Sequence, residues 1–134
     1  RTFLPETRDE IPSKMLKVSE GVCTAMGASC ELNYINGYPA TINSVTETDI
    51  SAKAAIDLVG EDKVVRNPTP SMGSEDFSYM LQARPGCYVW LGIGPGEGDH
   101  ACTLHSSNYD FNDDVLPIGA AYWATLVENE LPNA

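Results

Sequence analysis

No lysine or arginine follows Arg84: the last fifty positions carry seven acids and not one fixed positive charge. The whole chain, 134 residues with a net charge of −11, has 8 basic side chains against 19 acidic ones. A surface of that sign repels phosphate backbones, so a nucleic-acid partner is not expected. The excess favours solubility or draws cations. No apolar run approaches the length that crosses a bilayer, so no membrane partner is expected either. No signal peptide opens the chain, which begins "RTFLPE" without a methionine, and a cut or processed piece is expected. Histidine is scarce, with two in the chain, and no CxxC pair occurs. Cys23, Cys30, Cys87 and Cys102 are even in number but lack a secretory setting. They read as reduced thiols in a cytoplasmic protein.

What is present is a globular composition, 43% hydrophobic and 8% aromatic, long enough for one domain with a core. Residues 1–4 are apolar enough to end a strand, and "LPETRDEIP" then turns the chain. Ile11, Met15, Val18, Val22 and Met26 recur at spacings of three and four, the stripe of an amphipathic helix from Pro12 that Gly27 ends. "CELNYI" alternates Cys30, Leu32 and Tyr34 with polar residues, a half-buried strand. Residues 1–43 thus read strand–helix–strand, which wants a partner sheet.

Beyond 43 the pattern changes. "TETDISAKAAIDLVG" fits a helix with Thr46 or Thr48 as N-cap and Gly60 past its end. "KVVR" reads as a short strand, and "SEDFSYMLQA" as a helix capped by Ser74 with Glu75 and Asp76 in its first turn. "CYVWLGI" is an apolar run of the kind a strand covered on both faces shows. "DVLPIGAAYWATLVENEL" is a last, mostly buried helix with Pro117 near its start. Helices alternating with covered strands give an α/β architecture. Between Ile93 and the last helix lie about twenty residues without clear structure, a length that usually marks a functional loop. It follows the carboxyl end of a buried strand, where open α/β sheets bind ligands.

His105 lies in that loop. From the residues alone it has three open roles: metal ligand, general base, or a hydrogen-bonded histidine with no special task. Asp110, Asp113 and Asp114 supply carboxylates suited to orient an imidazole. "HACTLH" also gathers His100, Cys102 and His105, all zinc-ligand types, but a structural zinc wants a second ligand pair. "PSMGSEDF" is the other dense stretch, read either as an ordinary helix start or as a carboxylate held beside the His105 loop. A nucleophilic Ser74 lacks the G-x-S-x-G setting.

Taken in order, "RTFLPETRDEIP" (1–12), "GYPATINS" (37–44), "MGSEDFSYML" (72–81), "PGCYVWLGIG" (85–94) and "LHSSNYDFNDDVLPIGA" (104–120) resemble the C-terminal part of the M20 metallopeptidase family. The resemblance is to its amidohydrolase branch, which includes hippurate hydrolases and auxin-conjugate hydrolases. It covers nearly the whole chain. It implies residues 1–43 as the second half of a ferredoxin-like lid and 44–134 as the closing part of a zinc-peptidase-like α/β catalytic domain. It implies His105 as a ligand of a divalent metal pair, zinc first, manganese or cobalt otherwise. Ser74, Glu75, Asp76 and Asp110 are then near the site, and Arg1 falls on a lid strand. Homodimerisation through the lid and hydrolysis of N-acyl amino acids are implied too.

The departures matter. No HxH, no GHD and no Glu-Glu occurs in these residues. The family's other ligands and its general base are expected in a missing N-terminal part, so the 134 residues alone are expected to be inactive. Two other readings stand beside this one: a non-catalytic acidic binding or dimerisation module, and an autonomous zinc site at His100, Cys102 and His105.

Overall fold

In the computed structural model, residues 1–94 and 102–131 are described. They form two compact units, each made of two chain segments: residues 1–43 with 69–86, and residues 44–68 with 87–134.

The first unit is built on α1 (Pro5–Ala25) and the short α3 (Phe77–Ala83). Pro5 opens α1 because its missing N–H is one the first turn would leave unpaired anyway. The end at Gly27 is the one expected. Gly27 adopts φ 70°, its N–H reaches the Thr24 carbonyl, and Ala28 N–H reaches the Cys23 carbonyl at 2.8 Å. That pair of bonds is a Schellman closure, and it favours glycine at the positive φ. The start is corrected: "PETRDEIP" is helix rather than turn, and Pro12 sits inside it. Within its unit α1 packs on no other helix, and none of its residues is buried.

The second unit holds α2 (Val45–Val59), a 3-10 turn (Glu61–Lys63), a second 3-10 turn (Asp113–Val115) and α4 (Leu116–Glu130). Here α2 packs against α4, burying Ser51, Ala52, Ala54 and, ahead of α4, Val115. Small side chains let the backbones approach, and Ala54 is sealed completely. Arg66 pairs with Asp49, drawing the chain beyond the first 3-10 turn back along α2. At the far end Asn129 Nδ2 donates to Asp57 Oδ2 at 3.2 Å. Gly119 leaves room for Leu91, whose Cδ2 would lie 3.3 Å from a side chain there.

Several expectations are corrected. Among the described residues no strand forms: residues 1–4, "CELNYI", "KVVR" and "CYVWLGI" carry no ladder. A strand draws its stability from hydrogen bonds to a neighbour, and within each unit no such neighbour lies alongside. The run expected to be covered on both faces exposes Val89, Trp90 and Leu91. The last helix, expected to be mostly buried, exposes Leu116, Trp123 and Val127. Pro117 does sit in its first turn. Ser44, not Thr46 or Thr48, precedes α2, while Thr48 Oγ1 donates to the Ser44 carbonyl at 2.7 Å.

Candidate functional site

In the second unit the polar loop is organised by its own backbone. Ser106 N–H bonds the Thr103 carbonyl and Tyr109 N–H bonds the Ser106 carbonyl, each at 3.1 Å, so two turns run head to tail through residues 103–109. Asn108 N–H adds a bond to Ser106 Oγ at 3.2 Å. His105 sits inside the first of these turns with φ 71°. Among the described residues it is the single non-glycine with positive φ. Such a conformation costs a side-chain-bearing residue about 1–3 kcal/mol and persists where surrounding bonds impose it. The imidazole itself is exposed.

Asn112 ties this loop down at its other end. Its Nδ2 donates to the Ile93 carbonyl at 3.1 Å, and its Oδ1 accepts from Asp114 N–H at 3.1 Å, opening the 3-10 turn that feeds α4. One side chain thus joins the end of the apolar run to the start of the last helix. The reading from sequence missed Asn112. Its signal was an Asn two residues ahead of an acid at a helix approach, the pattern of a side-chain cap.

In the first unit the "SED" stretch is placed differently from the expectation. α3 begins at Phe77, so Glu75 and Asp76 precede it rather than fill its first turn, and Ser74 lies two residues outside the Asp76 cap position. Glu75 Oε1 accepts from Phe77 N–H at 3.2 Å, and the Glu75 carbonyl accepts from the fully buried Ser78 hydroxyl at 2.7 Å. The Glu75 carboxylate here organises a helix start. Ser74 and Asp76 are exposed. Arg1 donates to the Met72 carbonyl, joining the chain's first residue to this turn. Arg8, which the sequence did not single out, donates to the Gly37 carbonyl at 2.5 Å. A cleft of about 120 Å³ opens between the start of α1, residues 39–42 and α3. It falls below the roughly 300 Å³ at which small-molecule sites begin.

Among the described residues no three His, Cys, Asp or Glu side chains stand close enough to hold a metal ion. One imidazole fills one of the three or more protein positions that a hydrolytic zinc needs, so these residues alone do not fit a complete centre. His100, on which the autonomous zinc reading depends, lies outside the described residues. No helix among the described residues is long and apolar enough to cross a membrane.

The motif order and the anchored histidine loop define a class that comparison with known proteins makes specific. Residues 6–129 match the sequence profile of Peptidase family M20/M25/M40, and the chain belongs to that family. Among curated relatives it is similar to hippurate hydrolase of Campylobacter jejuni, at 31% identity over 90% of this chain and 30% of that protein. It is similar to thermostable carboxypeptidase 1 of Saccharolobus solfataricus, at 31% identity over 94% of this chain and 31% of the relative. N-acetylcysteine deacetylase of Bacillus subtilis shares 29% identity over 94% of this chain and 31% of its own length. The chain spans about a third of the length of these relatives. No solved structure gives a significant match.

Proposed function

We propose that these residues are the C-terminal part of a metal-dependent amidohydrolase that cleaves the amide bond of N-acyl amino acids, and that His105 donates one ligand to its metal. The observation that carries the reading is the backbone of His105, held at positive φ in a turn that Asn112 anchors to both the apolar run and the last helix. Strain of this kind collects where a side chain must be aimed. The family membership supports the hydrolytic class, and the relatives' names, hippurate hydrolase and N-acetylcysteine deacetylase, support acylated amino acids as the substrate class.

In this reading the remaining ligands and the carboxylate base come from polypeptide outside the 134 residues, and the isolated chain is inactive. Bound zinc, or manganese or cobalt in its place, would polarise the amide carbonyl and lower the pKa of its water. His105 holds the lone pair, and Asn112 holds His105. Residues 1–43 belong to the second half of a ferredoxin-like lid through which two copies pair, with Arg1 on one of its strands. Residues 44–134 belong to an α/β catalytic domain, where the apolar run 87–93 finds the strand neighbours it lacks within its own unit. Ser74, Glu75, Asp76 and Asp110 then support the site from outside the metal's own ligands, and the protein works in the cytoplasm.

The test uses the full-length polypeptide. His105→Ala should lose metal by elemental analysis and lose at least about a hundredfold in turnover of a hippurate-type substrate, more than the loss typical of a supporting residue. Full metal content with unchanged turnover would remove His105 from the site. A reading frame without an upstream Glu-Glu pair and His-rich segment would favour the non-catalytic module instead.

A further inference from the structure

Two thiols meet where α1 ends. Cys23 lies in its last turn, and its carbonyl accepts the Ala28 N–H at 2.8 Å. Gly27, at φ 70°, turns the chain back over that point. The reversal brings residue 30 alongside residue 23, and the two side chains share a hydrogen bond. Neither sulfur is in a disulfide; Cys30 is exposed and Cys23 is half-buried. Sulfurs already in hydrogen-bond contact need only a modest side-chain rotation to reach the bonding geometry. Neither residue takes part in the hydrolytic reading, and a redox role for the pair is independent of it.

We propose that Cys23 and Cys30 form a redox modification site, in which a small-molecule disulfide of the glutathione type closes an intramolecular bond that staples the end of α1 to the segment beyond Gly27. One protein thiolate attacks the small disulfide, giving a mixed disulfide and releasing one small thiolate. The second protein thiolate then attacks the protein sulfur of that mixed disulfide and releases the other. The protein dithiol gives up two electrons, the small disulfide takes them, and the two thiol protons end on the two released small thiols. Excess small thiol runs the sequence backwards.

The Cys30 thiol is pushed up from its ordinary value of 9.0, first by the hydrogen bond with Cys23, then by desolvation, then by the charges of Cys23 and Glu20. It therefore keeps its proton at neutral pH, and closure quickens as pH rises, since the thiolate is the attacking species. The pair rests reduced and closes only when the surrounding thiol pool is oxidised.

Met26 lies between the two cysteines, so cleavage after methionine reports the bond directly. Cyanogen bromide gives fragments 16–26 and 27–72, each with one cysteine, while Cys87 and Cys102 fall elsewhere. The whole chain would be reduced, desalted, incubated in oxidised glutathione and trapped with alkylating reagent. The expected monomer has lost two hydrogen masses, and its two fragments stay joined until reduced. Cys30→Ser, at an exposed position, should abolish the joined pair completely, whereas Cys87→Ser should leave it intact. Fragments that separate bearing glutathione adducts, or a joined pair that survives Cys30→Ser, would overturn the proposal.

Discussion

The two units solve the same problem differently. In the second, α2 finds α4, and the contact is lined by Ser51, Ala52 and Ala54, small enough for the helices to close. In the first, α1 is the longest helix described and carries the more conspicuous apolar stripe, yet Met15, Val18, Val22 and Met26 are 43%, 67%, 61% and 79% exposed. What holds α1 is local: a proline at its first position, the Gly27 closure, the Lys14–Glu10 ion pair and the Arg8 bond to Gly37. Helical periodicity states which face is apolar. Whether that face is covered depends on what lies opposite, and periodicity carries no information about it.

The largest expected effect separates site from scaffold within the second unit. His105→Gly in the full-length polypeptide should abolish ligation and lower turnover by at least about a hundredfold. Its thermal midpoint should not fall, because glycine accepts φ 71° without the cost of about 1–3 kcal/mol that a side chain incurs there. Kinetics, elemental analysis and a melting curve on one sample suffice. A collapse of the midpoint along with activity would make His105 a structural residue.

Next comes the contrast between the helices. Ala54→Leu should destabilise the second unit by about 1–3 kcal/mol, since the position is fully buried and an enlarged side chain forces the helices apart. Val18→Ala on α1 should stay within about 0.5 kcal/mol, as exposed substitutions do. Both are read from denaturant midpoints. A cost above about 1 kcal/mol at Val18 would show that the α1 stripe is covered in solution, and the difference between the units would disappear.

Asn112→Leu should cost about 1–3 kcal/mol, the sum of two ordinary hydrogen bonds. The loss should localise: faster amide exchange at Asp114 and easier proteolysis across residues 103–112, with the α2–α4 contact unchanged. Asn112→Asp keeps the acceptor for Asp114 N–H but loses the donor to the Ile93 carbonyl, so it should recover part of the protection. Equal exchange in both variants would show that the tie to Ile93 does nothing.

The legible parts of this molecule are those written in local chemistry. Gly27 and Gly60 mark helix ends because a positive φ is easiest for glycine, and Pro117 marks a helix start because its missing N–H is tolerated there. The interior Pro12 misled, since a proline more often opens a helix than sits within one. The strand patterns at 30–35 and 87–93 are real alternations and apolar runs, but a ladder is a property of two segments. The "SED" acids were assigned to a helix that begins after them, an offset of a few residues that side-chain capping by Glu75 decides. His105 was legible as a residue type in a loop. Its strained backbone was not, because no sequence signal gives the sign of φ for a histidine.

The smallest effect sharpens the comparison through two acids that look alike. The Asp57 carboxyl is held below its ordinary value of 3.8, first by the hydrogen bond from Lys53 and next by that from Asn129 on α4. The Glu10 carboxyl is held below 4.5 by Lys14, its neighbour on the same helix. A lowered folded value means each acid contributes stability above its unfolded value, which is lost as pH falls through the folded one. Acid titration of the melting midpoint should therefore flatten in both Asp57→Asn and Glu10→Gln, in the window below about pH 4.5. Only Asp57→Asn should also loosen one helix from another, because Asn129 lies on α4 whereas Lys14 lies on α1 itself. Amide exchange near residue 129 should thus accelerate on acidification in the parent and lose that pH dependence in Asp57→Asn. The same pH dependence in both proteins would mean that the Asp57–Asn129 bond does not help hold α2 to α4, leaving that contact to the small buried side chains alone.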